Sequence, residues 1–211
     1  MRLTPLPAEQ WDDEVQHALK GMLPRDRQNP PEGAGTALST LVRHPPDLTK
    51  AYLGFNVYLL FRSTLPARLR EVAVLRVAHR RDCTYEWEHH VEMAKAEGLT
   101  DDDVEAIRTG GGADDELDRL VVRATDELEE KSNLTDETWA ALGEHLTERQ
   151  RMDFVFTVGA TACWPWRSTL SAYSSRTKGK YVAFFQEAGC RQLDRELAGT
   201  RHRSGQLRGL D

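Results

Sequence analysis

Apolar residues recur along most of this chain at intervals of three and four, the spacing that lines one face of an α-helix. Nowhere do apolar and polar positions alternate over a length that would make a strand. The pattern predicts an all-α multi-helix bundle of about eight helices. A helical pattern begins near Ala37 and pauses at His44-Pro45-Pro46. A second runs from about Asp47 to Ser63, with Leu48, Tyr52, Phe55 and Leu59 on one face. Leu65-Pro66-Ala67 opens a third, because proline suits a first turn whose N–H would lack a partner anyway. Leu69, Val72, Leu75, Val77 and Ala78 cover so much of this helix that it is expected at the centre of the fold.

Arg80-Arg81-Asp82 is a short polar break, and Cys83 to Ala96 reads as a fourth helix closed by Gly98. Thr100 with Asp103 has the form of a helix cap. The acidic run Asp101-Asp102-Asp103 is thereby explained as a first turn at the positive end of a helix dipole. Thr109 to Ala113 is a glycine loop. Asp115 to Lys131 follows as a helix with Leu117, Leu120, Val121, Ala124 and Leu128 inward. Thr135 caps the next. Thr147 with Gln150 forms a capping box for one running through Phe154, Val155 and Val158. Trp164-Pro165-Trp166 interrupts that apolar run, and Val182 to Ala188 is expected as the last packed helix.

The organisation expected is an arm over residues 1–35, a helical domain over 36–190 and a polar, Arg-rich tail over 191–211. Pro24, Pro30, Pro31, Gly33 and Gly35 break up the arm, although Trp11 and Val15 could dock on the body. With 211 residues, 39% hydrophobic and 29% charged, the chain can bury a sizeable core and keep a solvated surface. A net charge of -6 without a basic stripe argues against a nucleic-acid partner. The apolar run Ala51 to Phe61 is far short of the roughly 18–20 residues that span a bilayer, and it contains Asn56. Met1 to Gln16 lacks the basic and apolar regions of a secretory signal. No membrane association is expected. Three widely spaced cysteines, Cys83, Cys163 and Cys190, form no disulfide framework and suggest a reducing cytoplasm.

The most unusual segment runs from Asp82 to His90. On a helix, Cys83, Glu86, Trp87 and His90 share a face, so a thiol, a carboxylate and an imidazole converge within about two turns. Glu71 precedes Cys83 on the apolar helix. If the two helices pack antiparallel, it folds back toward the same place, where a buried carboxylate needs a partner. Trp87 is expected in the core, while Tyr85 and His89 lie on another face as candidate substrate or subunit contacts. Cys83, Glu86 and His90 could also offer three ligands to zinc, but the double-His helical motif of zinc proteases is absent.

Glu71, followed after eleven residues by Cys83, Glu86 and His90, in the setting Leu-Arg-Glu-Val-Ala-Val-Leu-Arg-Val-Ala, resembles the carboxymuconolactone decarboxylase and alkylhydroperoxidase D superfamily. The likeness extends from Tyr52-Leu53-Gly54-Phe55 to Ala96-Glu97-Gly98-Leu99-Thr100, and Tyr85-Glu86-Trp87 resembles its decarboxylase-like branch. It implies the all-helical alkylhydroperoxidase D-like fold, a homo-oligomer, and neither metal nor other cofactor. In the peroxidase branch a Glu and a His relay protons to a Cys-x-x-Cys pair. Glu71, Cys83 and His90 match that pattern, and Glu86 stands where the second cysteine would be.

The expected activity is that of a cofactor-independent lyase or isomerase acting on a small carboxylated or lactone substrate. His90, near neutral pKa, would be the acid–base group, with Glu86 orienting it or serving as base. Arg76, Arg80 or Arg81 could clamp a substrate carboxylate. Trp164 and Trp166, with Tyr173 and Phe185, could line an aromatic pocket. A thiol peroxidase using Cys83, and a binding protein without catalysis, are the alternatives.

Overall fold

Threonine caps decide where three of the helices begin. The side chains of Thr100, Thr135 and Thr147 accept from the backbone N–H groups of Asp103, Thr138 and Gln150, and Asp103 and Gln150 return the bond. Each cap satisfies donors that a helix start leaves open, and contributes about 1 kcal/mol. The computed structural model describes residues 4–19, 35–43, 46–111 and 115–163. After a single 3₁₀ turn at Ala8–Gln10, the helices are α1 (Asp13–Leu19), α2 (Gly35–Leu41), α3 (Pro46–Phe61), α4 (Ala67–Arg80), α5 (Thr84–Ala96), α6 (Asp101–Thr109), α7 (Glu116–Lys131), α8 (Asp136–His145) and α9 (Glu148–Ala162). No strand occurs among the described residues, so the all-α expectation holds. Expectations placed on Trp164, Trp166, Tyr173, Phe185, the helix over 182–188 and the tail lie outside the described residues. No helix among the described residues is long and apolar enough to cross a membrane.

As its composition predicts, α4 is central. Every residue from Glu71 to Ala78 is buried, and α5, α6, α7 and α9 all pack on it. Val72, Leu75 and Val77 meet Ile107, Val121 and Phe154 in the main core. A side chain as fully buried as Leu75 contributes roughly 1.5–3 kcal/mol. A smaller core joins Trp11, Val15 and Leu19 to Leu38, Leu53 and Val57, so α1 packs against α3. The face of α3 matches expectation in part. Leu59 is buried and Tyr52 packs against the smaller core, but Leu48 and Phe55 are exposed, at 63% and 37%, and Thr49, Leu53, Asn56 and Val57 are buried instead. This helix is apolar on several sides, so periodicity alone does not tell which side packs.

One turn sets the site. Helix α4 ends as Asp82 takes a left-handed conformation at φ +51°. The N–H of Asp82 then reaches His79 O at 3.1 Å, and the N–H of Cys83 reaches Ala78 O at 2.8 Å. This double closure is the Schellman motif, with an aspartate in the place glycine usually holds. It reverses the chain within a few residues and starts α5 on Cys83. The end of α5 repeats the device with Gly98 at φ +87° and Leu99 N–H on Ala94 O.

Candidate active site

The reversal at Asp82 lays α5 back along α4, so that residues far apart on the two helices face each other. His90, two turns into α5, meets Glu71 near the start of α4. Nδ1 of the imidazole lies 2.6 Å from Oε2 of Glu71. On the other side of the ring, Nε2 lies 3.2 Å from Oε2 of Glu86, one helical turn earlier. Glu71 is wholly buried and Glu86 almost so. The second oxygen of Glu71, Oε1, accepts from Nε of Arg70 at 2.8 Å, and Nη1 of Arg70 donates to Leu60 O at 3.1 Å. The result is an alternating row: guanidinium, carboxylate, imidazole, carboxylate.

A neutral imidazole has only one N–H, yet both ring nitrogens here face carboxylate oxygen. The imidazolium is the form that serves both. Burial disfavours its charge, but Glu71, and after it Glu86, outweigh burial and raise the His90 pKa to about 10. Burial likewise works against the charge of Glu71, and His90 and Arg70 together still hold its pKa below the ordinary value of 4.5. The expectation that His90 titrates near neutrality is therefore corrected. Its two partners keep it charged through that range, which makes it a proton donor first.

Cys83 occupies the N-cap of α5 and is buried. Burial raises its thiol pKa above the ordinary 9.0, and the carboxylates of Glu86 and Asp82 push the same way. The N–H groups of Glu86 and Tyr85 oppose them with less effect. A reactive thiol needs the opposite surroundings. Glu86 thus stands between the cysteine and the histidine, acting on both.

The remaining expected residues fall elsewhere. Trp87 packs against the main core with its ring 5.9 Å from that of His79. The rings of Tyr85 and His89 lie 4.2 Å apart with their planes inclined at 46°, and Nδ1 of His89 is 2.8 Å from Tyr85 O. Arg76 is engaged within the fold. Its Nε and Nη2 form a fork with Asp126 at 2.7 and 2.8 Å, and Nη1 donates to Ile107 O and Arg108 O. All three guanidinium nitrogens are engaged in holding α4 to α6 and α7. Arg80 is likewise paired with Asp126 and Glu130, and Arg81 with Glu129. Among the described residues, no three His, Cys, Asp or Glu side chains are grouped so as to hold a metal ion.

Arg70 was missed from the sequence. Consecutive residues on a helix normally point apart, so nothing in the pair Arg70-Glu71 signals that the two side chains meet.

With this geometry in place, similarity to known proteins becomes informative. Residues 46–130 match the carboxymuconolactone decarboxylase family. The matched segment runs from α3 into α7 and contains Glu71, Cys83, Glu86 and His90. A crystal structure from Agrobacterium tumefaciens, of a protein of unknown function described as a candidate antioxidant defence protein AhpD, superposes with a TM-score of 0.54. It is 19% identical, and the alignment covers 64% of this chain and 94% of that one. At that identity the likeness establishes a shared fold. No curated protein matches the chain. The resemblance to the carboxymuconolactone decarboxylase family, first read from the four residues of the motif, is thus supported by the family match over the helices that build the site, and the Agrobacterium structure supports the fold.

Proposed function

We propose that the Glu71–His90–Glu86 row carries out acid–base chemistry of the decarboxylase or isomerase kind, without a cofactor, on a small carboxylated or lactone substrate. The observation that supports this most directly is the imidazole held at 2.6 and 3.2 Å between two buried carboxylates. In a decarboxylation the bond to the leaving carboxylate breaks and its electron pair stays on the substrate as an enolate. An imidazolium beside it lowers the energy of that anion. The proton on Nε2 passes by way of Glu86 to the substrate carbon, leaving His90 neutral until solvent restores the proton. In an isomerisation Glu86 takes a proton from one carbon and the pair returns it to another. Glu71 acts throughout as the fixed counter-charge.

The test is a panel of carboxylated lactones and related acids in deuterated water, read for carbon dioxide release and deuterium uptake. Once a substrate is found, Glu86→Gln and His90→Ala are expected to lose about 10²-fold or more in turnover, while Cys83→Ser keeps it. Full turnover by both of the first two variants would sink the proposal.

A thiol peroxidase is the second reading, favoured by the position of Cys83 in the motif and by the antioxidant description of the Agrobacterium protein. It requires sulfenic acid on Cys83 under excess peroxide, seen by mass spectrometry. An inert thiol, which its acidic and buried surroundings favour, removes it.

A further inference from the structure

Arg70 has no part in the chemistry above, yet it is the cation that touches the cluster. We propose that Arg70 is a positioning residue: by donating to Oε1 of Glu71 it keeps that carboxylate ionised, so that the proton of the Glu71–His90 contact stays on Nδ1 of His90. The proposal rests on the acid–base reading, because it concerns how the imidazolium is maintained.

The geometry carries it. Glu71 is fully buried and divides its two oxygens between two donors, Arg70 at 2.8 Å and His90 at 2.6 Å. A buried carboxylate with only an imidazole for company has an easy escape, which is to take the proton and leave both groups neutral. A contact as short as 2.6 Å gives that proton two places to sit. Arginine cannot respond in this way, since its guanidinium does not release a proton in proteins. Its charge on Oε1 therefore biases the shared proton toward nitrogen. Arg70 is itself held in place by Leu60 O at 3.1 Å, and its side chain is only 12% exposed. Helix α3 thus fixes Arg70, Arg70 fixes the charge of Glu71, and Glu71 fixes that of His90. The charged groups acting on the ring are Glu71 from α4 and Glu86 from α5, with Arg70 behind the first. A purely structural role for Arg70, tying α3 to α4, would leave the position of the proton unchanged.

The experiment uses the full chain labelled with ¹⁵N in its histidine rings, at about pH 8, above the ordinary histidine range. In the unaltered protein both ring nitrogens of His90 should resonate as those of an imidazolium. In Arg70→Gln the Nδ1 signal should move to the range of an unprotonated ring nitrogen while the backbone amide spectrum stays native. Arg70→Lys, which retains a charge, should keep the imidazolium pattern. If Arg70→Gln does not fold, Arg70→Met keeps more of the apolar stem and carries the same expectation. A ring that stays fully protonated in a folded, uncharged Arg70 variant overturns this inference alone. A neutral ring already present in the unaltered protein overturns the acid–base reading, and this inference with it.

Discussion

At the residue scale, the site turns on one imidazole. Its pKa is raised from 6.5 to about 10, so the folded chain holds a proton that the unfolded chain releases above about 6.5. The stabilisation from His90 is complete below 6.5 and is lost as pH rises toward 10, while that from Glu71 is complete above 4.5 and lost only when pH falls through its lowered value. Denaturant unfolding should therefore show stability declining by up to about 5 kcal/mol as pH rises from 6.5 to about 10, and His90→Gln should flatten the decline. Unfolding curves that keep the full slope without His90 would assign the effect to other groups. Removing Glu71 should be costlier than a surface change. Glu71→Ala leaves Arg70 and His90 without their shared carboxylate and is expected to destabilise by roughly 3 kcal/mol, read from urea midpoints. The carboxylate, thiol and imidazole were legible in the sequence because helical spacing places them together. Their protonation was not, since it depends on the burial and the short contacts that only packing creates.

At the element scale, the helix ends position the site, and several of them can be tested. Gly110 ends α6 at φ +89°, and a Cβ there would lie 2.7 Å from Nη2 of Arg76. Gly110→Ala should cost at least about 1–2 kcal/mol from the backbone alone, and more if the Arg76–Asp126 fork is displaced. A midpoint within error of the unaltered protein would contradict this. Asp153 ties α9 to the end of α3, accepting from Tyr58 Oη at 2.8 Å and from the N–H and hydroxyl of Thr64 at 2.7 and 2.8 Å. Asp153→Ala leaves these donors short of a partner and should destabilise by about 2–3 kcal/mol in the same assay. Capping signals were the most legible part of the chain, because Thr with Asp or Gln three residues on is local chemistry. The full packed face of α3 and the left-handed turn at Asp82 were not legible. The first depends on which neighbour arrives, and the second on an aspartate accepting a conformation that glycine usually takes.

At the scale of the whole molecule, α4 joins structure to chemistry. Its apolar sides build the main core, while Arg76 locks it to α6 and α7. On the side facing α5, the same helix offers one carboxylate to one imidazole. The fold was legible because a helix apolar nearly all round must be central. The pairing of the arginines is not legible in the sequence, for a reason that operates at this scale. A guanidinium suits a substrate carboxylate and an Asp on a neighbouring helix equally well, and only the assembled bundle shows that Asp126, Glu129 and Glu130 reach Arg76, Arg80 and Arg81.

The most direct test of the central claim is a pH titration of the His90 ring by ¹⁵N NMR in the unaltered protein. Both ring nitrogens should remain protonated well above neutrality, with a midpoint at about 10. A midpoint near the ordinary 6.5, with one nitrogen bare at neutral pH, would mean that the two carboxylates do not hold an imidazolium, and would contradict that claim.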